Sequence, residues 1–345
     1  MNNRFALDIG SANLIASSKS EAPLICEPSV IAVNRRTGNI LAVGEEAANF
    51  DLSDAQNTVL MRPFRGGLTA NCDITYRVMA DMLKRSFGRD LRGARLLLGI
   101  PCGMDEIGES VLIELALKTG VKACHLIYTP LAAMAAEFIS PFSSCLLADI
   151  GAVRTNVMLL TKGKIRYLRT TEVGGETFDG AIYDYLLKKY KIEISRRQAE
   201  QIKIKIGTVY NDGVTAFETL SVTGRNILSG EPAQATLDAT DMYEAFEEPM
   251  AAILEAICLA ITKIPPSDQF EVLKNGISLC GGGAMLHGMS MMIEGITGYP
   301  TVLVERPLEA AALGMARIQE WLPPQIPSGV RNISAYYIES FLSGK

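Results

Sequence analysis

One short pattern occurs twice in this chain, about half its length apart, and it constrains the fold more than any other feature. Each copy is an apolar strand that ends in Asp-x-Gly, then a turn, then a second apolar strand. The first copy covers Phe5–Ala16 and the second covers Cys145–Leu160. Internal self-similarity of this kind indicates a duplicated architecture. The repeat predicts a duplicated fold with two related domains.

The length of the chain fits two domains, because 345 residues are enough for two substantial cores. No low-complexity linker separates the halves, so a packed hinge is expected.

Hydrophobic spacing predicts several individual elements. Helical periodicity favours helices over Asn71–Phe87 and Ser195–Ile206, and short apolar runs favour buried strands at Arg95–Ile100 and Ile277–Cys280.

The two turns that follow the Asp-x-Gly strands have a chemistry of their own. A short turn between strands can aim backbone amides at an anion, and small residues are needed because a side chain would stand in the way. Asp8 and Asp149 each precede such a turn. A carboxylate there is suited to hold the water shell of Mg²⁺ beside a polyphosphate. A single Asp-x-Gly is usually a plain turn, but the pair favours phosphate binding from two sides.

A run of three glycines, Gly281-Gly282-Gly283, lies between a predicted buried strand and a helix. One interpretation is a flexible turn, and the other is close backbone approach to a base or a phosphate at a helix N-terminus. The spacing is not the Gly-x-Gly-x-x-Gly of dinucleotide-binding folds.

Composition argues against several classes of protein. The formal charge is −5, from 33 basic and 38 acidic residues, so no general nucleic-acid-binding surface is expected. The longest apolar runs are far shorter than the roughly 20 residues that span a bilayer. The N-terminus leads directly into a strand and does not read as a signal peptide. Two histidines and no Cys-x-x-Cys pair argue against a histidine-rich metal site. A cytosolic protein is expected.

Five segments, in order, resemble the nucleotide-contact segments of the actin superfamily, which includes actin, heat-shock chaperone ATPases and sugar kinases. Within that superfamily the chain resembles the MreB-like bacterial actins over about residues 4–320. The five segments are Asp8–Asn13, Asp149–Gly151, Gly174-Gly175, Ala199–Lys203 and Gly281–Ala284. Further similar stretches are Glu27–Val30, Arg62-Pro63, Gly174–Asp179, Val222–Asn226, Glu247–Pro249 and Leu279–Ala284.

The resemblance implies an α/β, actin-like ATPase fold with two related domains, each with a mixed sheet flanked by helices, and a nucleotide cleft between them. It implies a first actin-like domain at 1–145, with a small subdomain inserted at about 31–64, completed by a C-terminal helix at about 320–345. It implies a second at 146–319, with a small subdomain inserted at about 182–240.

The resemblance also implies roles for particular residues. The first phosphate turn would contain Asp8, Gly10, Ser11, Ala12 and Asn13. The second would contain Asp149, Gly151 and Ala152, with Gly174 and Gly175 near the phosphates. The nucleoside would contact Glu200, Lys203, Gly281, Gly282, Gly283 and Ala284. Asp8 and Asp149 would hold Mg²⁺ through water.

The second turn departs from the family pattern, which is usually rich in glycine and threonine. Here it reads Ala152-Val153-Arg154-Thr155-Asn156. Because β-branched Val153 tolerates positive φ badly, we expect an incomplete backbone cradle. Arg154 either reaches the phosphates with its guanidinium or points outward.

Thr129 is the second departure. MreB-like proteins usually carry, before the proline at this point, a glutamate that positions the attacking water, whereas this chain reads Tyr128-Thr129-Pro130. A threonine hydroxyl is not a useful general base near pH 7. Glu137 is about two helical turns further on and is expected to point elsewhere. We therefore expect hydrolysis that is slow or absent, so that the chain is a weak ATPase at most.

A membrane contact is expected from the resemblance, because MreB-like filaments attach to the inner face of the membrane. The candidate is a loop over Lys84–Arg92, where Phe87 and Leu91 lie among four basic residues. The alternative is a solvated charge run with two ordinary apolar residues.

These observations together predict a cytoplasmic, membrane-associated filament protein that binds ATP or ADP with Mg²⁺ and takes part in cell shape. Its expected partners are other copies of itself, stacked head to tail, the inner membrane surface, and cell-wall or shape-determining membrane proteins. Three alternatives remain at this point. They are a kinase or chaperone on the same fold, a degenerate scaffold without nucleotide, and an organelle-positioning filament of the MamK type.

Overall fold

A computed structural model describes residues 3–18, 23–50, 57–64, 71–137, 143–210, 219–322, 326 and 330–334. Its strands are β1 Arg4–Ile9, β2 Asn13–Ser17, β3 Ile25–Pro28, β4 Ile31–Asn34, β5 Ile40–Val43, β6 Thr58–Met61, β7 Arg95–Ile100, β8 Ala123–Tyr128, β9 Cys145–Ile150, β10 Thr155–Thr161, β11 Lys164–Thr171, β12 Ile192–Glu193, β13 Leu220–Asn226, β14 Pro232–Leu237, β15 Ile277–Cys280 and β16 Thr301–Leu303. Its helices are α1 Glu45–Ala48, α2 Cys72–Phe87, α3 Glu106–Lys118, α4 Thr129–Ala136, α5 Gly175–Tyr185, α6 Arg196–Ile206, α7 Ala239–Ile261, α8 Gln269–Asn275, α9 Met289–Thr297 and α10 Ala310–Trp321.

The chain divides into two compact units. The first comprises Met1–Ser144, Leu160–Leu168 and Val304–Lys345, and the second comprises Cys145–Leu159 and Arg169–Leu303. The domain bounds proposed from the sequence remain predictions. Most of the predicted C-terminal helix at about 320–345 lies outside the described residues. Within them, Arg331 and Ile333 exchange backbone hydrogen bonds with Leu126 of β8 as extended chain.

Both five-stranded sheets have the same strand order. The first runs β3-β2-β1-β7-β8 and the second runs β11-β10-β9-β15-β16. In each, the strand that ends in Asp-x-Gly lies at the centre and pairs in parallel with the next strand, so that Asp8 is opposite Gly99 and Asp149 is opposite Cys280. The duplicated α/β architecture predicted from the sequence is therefore confirmed.

Each predicted small subdomain contains a three-stranded sheet. The sheet β5-β4-β6 lies within the first unit, and the sheet β12-β13-β14 lies within the second. In the second unit the chain enters its small sheet from the end of α5, which continues as a π-helical turn over Leu186–Tyr190, and leaves it at Asp238, the N-cap of α7.

The core of the first unit corrects the predicted membrane contact. The segment Lys84–Arg92 is not a loop, because α2 continues to Phe87 and a 3₁₀ turn follows over Gly88–Leu91. Phe87 is 7% exposed and its ring stacks on Phe5 with centroids 3.7 Å apart, and Leu91 is 9% exposed. Both side chains belong to the hydrophobic core of the first unit, Phe87 from the last residue of α2 and Leu91 from the 3₁₀ turn, and their interpretation as membrane contacts is wrong for this conformation. Among the described residues, no helix is both long and apolar enough to cross a bilayer.

Candidate functional site

The first turn, Gly10–Asn13, lies between β1 and β2 in the first unit. A Cβ atom on Gly10 would lie 2.7 Å from the carbonyl oxygen of Asn13, so only glycine fits this position. The backbone N–H of Ser29 donates to the carbonyl oxygen of Ala12 at 2.7 Å. This bond fixes the turn against the chain that follows β3.

Asp8 and Thr129 lie on the same side of Gly99. A Cβ atom on Gly99 would lie 3.4 Å from Asp8 Oδ1 and 3.2 Å from Thr129 Cγ2. Thr129 is the first residue of α4, directly after β8, the strand next to β7. Thr129, which stands where MreB-like proteins usually carry the water-positioning glutamate, therefore lies near the carboxylate of Asp8, just before the first turn.

Glu137 does not substitute for the missing glutamate. It follows the last residue of α4, at the opposite end of the helix from Thr129. Burial and nearby Glu305 raise the pKa of the Glu137 carboxyl. The expectation that it points elsewhere is consistent with this placement.

The second turn closes without any left-handed residue. The N–H of Gly151 donates to the carbonyl oxygen of Arg154 at 2.8 Å. Among described residues other than glycine, positive φ occurs at Lys162, Lys191 and Arg306, and not at Val153. The strain expected at Val153 is therefore absent, because the turn does not need the backbone conformation that valine avoids. Whether the cradle is complete for a phosphate stays a prediction.

The start of α5 packs directly on the second turn. The N–H of Gly175 donates to the carbonyl oxygen of Gly151 at 2.9 Å, and the N–H of Glu176 donates to that of Ala152 at 2.7 Å. A Cβ atom on Gly174 would lie 2.7 Å from both of those carbonyl oxygens. Two amides that a helix N-terminus leaves unpaired are thus satisfied by the turn itself. Gly174 and Gly175 therefore pack directly against the carbonyl groups of Gly151 and Ala152.

The three glycines lie against the other side of the same turn. Gly281 has φ +84°, and a Cβ atom there would overlap the carbonyl oxygen of Ile150 and lie 2.7 Å from Asp149 Oδ1. A Cβ atom on Gly283 would lie 2.5 Å from Ile150 Cγ2. Gly281 and Gly283 are therefore required by close packing against Ile150 and Asp149 of the same chain. Approach of this segment to a base or a phosphate stays a prediction. Ala284 is buried below the segment.

The carboxylate of Asp149 is oriented by residues that sequence reasoning did not single out. The amide of Asn156 donates to Asp149 Oδ2 at 3.3 Å, and the hydroxyl of Thr170 donates to Asn156 Oδ1 at 2.9 Å. Both partners lie on the neighbouring strands β10 and β11. The spacing from an Asp-x-Gly to the second apolar strand is the sequence signal that could have identified Asn156.

Lys203 is held by α5. Its Nζ atom lies 2.8 Å from Asp179 Oδ1 and donates to the carbonyl oxygen of Gly175 at 3.0 Å. Glu200 lies three residues earlier on α6 and is partly exposed. Asp179, the partner of Lys203, was not among the predicted site residues.

The guanidinium of Arg154 lies near the carboxylate of Glu172. Its Nη2 atom is 3.5 Å from Glu172 Oε1, and about a third of the side chain is exposed (32%). This contact favours neither the phosphate-directed nor the outward interpretation.

Asp8 and Asp149 occupy equivalent positions, each one residue before the end of the central strand of its sheet. In the part of the chain that the structure describes, no three His, Cys, Asp or Glu side chains are grouped to hold an ion directly. That the two carboxylates hold Mg²⁺ through water stays a prediction. That both turns bind one nucleotide remains a prediction.

Known proteins resemble this chain over nearly its whole length. The family model described as MreB/Mbl protein matches residues 2–323. The cell shape-determining protein Mbl of Bacillus cereus is 31% identical over 312 residues, which are 89% of this chain and 93% of that protein. The cell shape-determining protein MreB of Escherichia coli K12 is 30% identical over 331 residues, which are 93% of this chain and 94% of that protein.

Solved structures show the same fold. The structure of MreB5 of Spiroplasma citri bound to ADP has a TM-score of 0.86 at 23% identity and covers 93% of this chain and 97% of its own. A MamK double helical filament has a TM-score of 0.80 at 19% identity and covers 93% of this chain and 100% of its own. Sequence and fold together lead to one assignment, which is that the chain belongs to the MreB/Mbl family and has an actin-like fold.

Proposed function

We propose that this protein binds ATP or ADP with Mg²⁺ and polymerises head to tail into filaments that take part in cell shape. The observation that carries the proposal is the packing of the second turn, the start of α5 and the three glycines, where glycine is required at Gly174, Gly281 and Gly283. Backbone that is free of side chains and close to a carboxylate is suited to a polyphosphate. Structures of MreB5 of Spiroplasma citri bound to ADP and to AMPPNP support this ligand class.

In this proposal the phosphates lie against the turns Gly10–Asn13 and Gly151–Ala152, and the nucleoside lies against α6 and Gly281–Ala284. Bound Mg²⁺ would neutralise phosphate charge. Asp8 and Asp149 would hold its water shell, and Asn156 would keep the Asp149 carboxylate turned toward it. The nucleotide would select the conformation that adds to a filament end.

Binding is tested by titrating the full chain with a fluorescent ATP analogue in the presence and absence of Mg²⁺. We expect saturable, magnesium-dependent binding that unlabelled ATP and ADP reverse. No binding at high micromolar protein would favour the degenerate scaffold instead. The closed geometry of the second turn argues for the nucleotide-binding alternative.

Polymerisation is tested by sedimentation and electron microscopy with and without ATP. Filaments of MamK support an assembling fold. We expect ATP-dependent pelleting and visible filaments. A protein that stays monomeric at high concentration with nucleotide would contradict the proposal. Names of the relatives favour cell shape over organelle positioning.

We also propose a cytoplasmic location at the inner membrane surface, with cell-wall or shape-determining membrane proteins as partners. Family membership supports this part. Because Phe87 and Leu91 are buried, the membrane contact must use other residues. Vesicle co-sedimentation of wild type and of a Phe87→Ala variant would test whether those two side chains contribute.

A further inference from the structure

The last strand of the first five-stranded sheet, β8, is covered along its outer edge by residues 330–334. β8 pairs with β7 on one side and ends the strand order of that sheet. On its other side Leu126 forms a parallel β-bridge with Asn332. The N–H of Leu126 donates to the carbonyl oxygen of Arg331 at 2.9 Å, and the N–H of Ile333 donates to that of Leu126 at 2.8 Å. The 330–334 segment therefore extends the sheet beyond β8.

Two further hydrogen bonds from β8 reach the first and the last residue of this segment. The Nδ1–H of His125 donates to the carbonyl oxygen of Val330 at 3.1 Å, since a carbonyl can only accept. The backbone N–H of Tyr128 donates to the hydroxyl of Ser334 at 3.0 Å. Between them the side chain of Ile333 is fully buried (0% exposed). The contact with β8 therefore combines backbone pairing with an apolar anchor.

Side chains of the segment also bind one another and α3. Asn332 Oδ1 accepts from the hydroxyl of Ser334 at 2.7 Å and from its N–H at 3.1 Å. Asn332 Nδ2 donates to Glu109 Oε1 at 3.0 Å. The guanidinium of Arg331 donates to the hydroxyl of Ser110 at 2.7 Å. Backbone pairing gives a docked strand its affinity and side-chain contacts make it specific, so this edge is built to bind this stretch of sequence.

The strand under this segment lacks the usual features that keep an edge strand from pairing with another chain. An uncovered edge presents unpaired N–H and C=O groups, which proteins protect with charges, proline, bulges or a covering segment. β8 reads Ala-Cys-His-Leu-Ile-Tyr, without Lys, Arg, Asp, Glu or Pro. Its register with β7 runs over all six residues without a bulge. The 330–334 segment therefore supplies the protection that the strand itself does not.

We propose that the 330–334 segment is a detachable cover of the β8 edge, and that this edge pairs with β8 of a second copy of the chain when the segment is released. Two identical strands can pair antiparallel about a twofold axis, each using the same residues. The MreB/Mbl family model ends at residue 323, so the segment lies beyond the residues that it matches. The contact is separate from head-to-tail stacking and does not depend on the proposed nucleotide binding.

The test uses the full chain without nucleotide, so that ATP-dependent filaments do not contribute to the result. Ile333→Asp places a charge where the side chain is fully buried and so releases the segment. Asn332→Ala is a milder change that removes the amide joining Ser334 to α3. Ile333→Val keeps the buried contact and is the matched control. Sedimentation velocity measures association, and anisotropy of a fluorescein-labelled peptide with the sequence of residues 329–336 measures whether the edge is open.

We expect wild type to stay monomeric, and Ile333→Asp to form dimers and to bind the peptide at least about tenfold more tightly than wild type does. Excess peptide should return this variant to monomer, because peptide and second copy compete for one edge. Asn332→Ala should change both readouts in the same direction by about threefold or more. Ile333→Val should stay within about twofold of wild type.

A folded Ile333→Asp variant that stays monomeric overturns the inference, as does association that the peptide does not reverse. Equal peptide binding by wild type and Ile333→Asp also overturns it, because the edge would then be open in both or closed in both. Loss of the wild-type circular-dichroism spectrum in both Ile333→Asp and Asn332→Ala overturns it as well, because the segment would then be a structural strand that the fold requires and not a detachable cover.

Discussion

Around the second turn, the backbone packs so closely that a single added β-carbon would not fit. At Gly281 a β-carbon would meet both the Ile150 carbonyl and the Asp149 carboxylate, and the backbone there is left-handed. L-amino acids with side chains avoid that region. The glycine is thus required by sterics as well as by the proposed ligand.

We expect Gly281→Ala to lower the free energy of unfolding by about 2–4 kcal/mol and to abolish binding of the ATP analogue. Gly295→Ala is the control, because no atom lies within 4 Å of a Cβ placed on that α9 residue. It should stabilise the helix by about 0.5–1 kcal/mol and leave binding intact. Urea unfolding and fluorescence titration check both. Normal binding by Gly281→Ala would contradict the assignment of this segment.

Thr129 is the position at which we expect a carboxylate to increase hydrolysis. A carboxylate introduced there would lie beside Asp8, and the repulsion between the two would raise its pKa toward the range of a general base. We expect Thr129→Glu to increase phosphate release from ATP about tenfold or more over a slow or absent wild-type rate. Thr129→Gln has a similar size and cannot take a proton, so it should stay at the wild-type rate. Equal rates for the two variants would exclude Thr129 as the position of a general base.

At the residue scale, positions in turns could be predicted better than side-chain partners. Gly151, Gly174 and Gly281 lie in tight backbone segments as expected, because turns have local residue requirements, and their contact with a nucleotide stays a prediction. Asp179 and Asn156 were missed because their roles come from contacts with residues distant in the chain, Lys203 and Thr170 among them.

Helices and strands could be predicted where apolar residues recur with a helical or strand spacing. Strands β7 and β15 begin and end where the apolar runs do, and α2 starts one residue after its predicted start because Asn71 caps it, accepting from the N–H groups of Asp73 and Ile74. The end of α2 at Phe87 was also predicted, but the exposure of Phe87 was misread because its neighbours are charged, whereas its side chain is buried by stacking on Phe5. Sequence position could not reveal that contact.

A polar cluster joins the segment that leads into the small sheet of the second unit, at residues 185–190, to the start of α7, where the chain leaves that sheet. Lys189 Nζ lies 2.8 Å from Asp241 Oδ1, the hydroxyl of Tyr185 donates to the same oxygen at 2.7 Å, and that of Tyr190 donates to it at 3.3 Å. Burial raises the pKa of Asp241, but hydrogen bonds from Lys189, Tyr185 and the Asp238 backbone outweigh this and hold it below its ordinary value. Hydrogen bonds to Asp241 and Tyr185 raise the pKa of Lys189.

We expect Asp241→Asn to lower the free energy of unfolding by about 1–3 kcal/mol near neutral pH. A carboxyl whose pKa is depressed by folding stabilises above its unfolded value and loses that effect as pH falls through its folded value. The deficit of the variant should therefore stay constant down to about pH 4 and shrink below it. Urea unfolding at stepped pH measures this.

Glu255→Gln is the control for that experiment, because Glu255 lies on the same helix and meets Arg169 only at 3.9 Å on the surface. Its effect should be below about 1 kcal/mol at every pH. A deficit of Asp241→Asn that grows as the pH falls would show that the carboxylate does not stabilise through its charge.

At the scale of the whole molecule, duplication is the main result. The two five-stranded sheets have the same strand order, and the repeat behind them is visible in the sequence. The fold class could therefore be predicted. The smaller sheets and the exact unit bounds could not, because short strands with mixed exposure carry little periodicity.

Ligand binding should stabilise the whole chain. Adding ADP with Mg²⁺ at 100 times its dissociation constant should raise the free energy of unfolding by about 2.7 kcal/mol. Thermal melts with and without EDTA check the metal dependence. Gly281→Ala should show no shift with nucleotide, and an equal shift in that variant would place the ligand elsewhere.

The bonds from α5 to the second turn have a further consequence. The carbonyls of Gly151 and Ala152 already receive amides of Gly175 and Glu176, so neither peptide plane can rotate without leaving buried donors unpaired. We therefore expect this turn to keep the same shape whether the proposed ligand is a diphosphate or a triphosphate. In that case, discrimination between the two nucleotide states would have to come from other parts of the protein that can change shape.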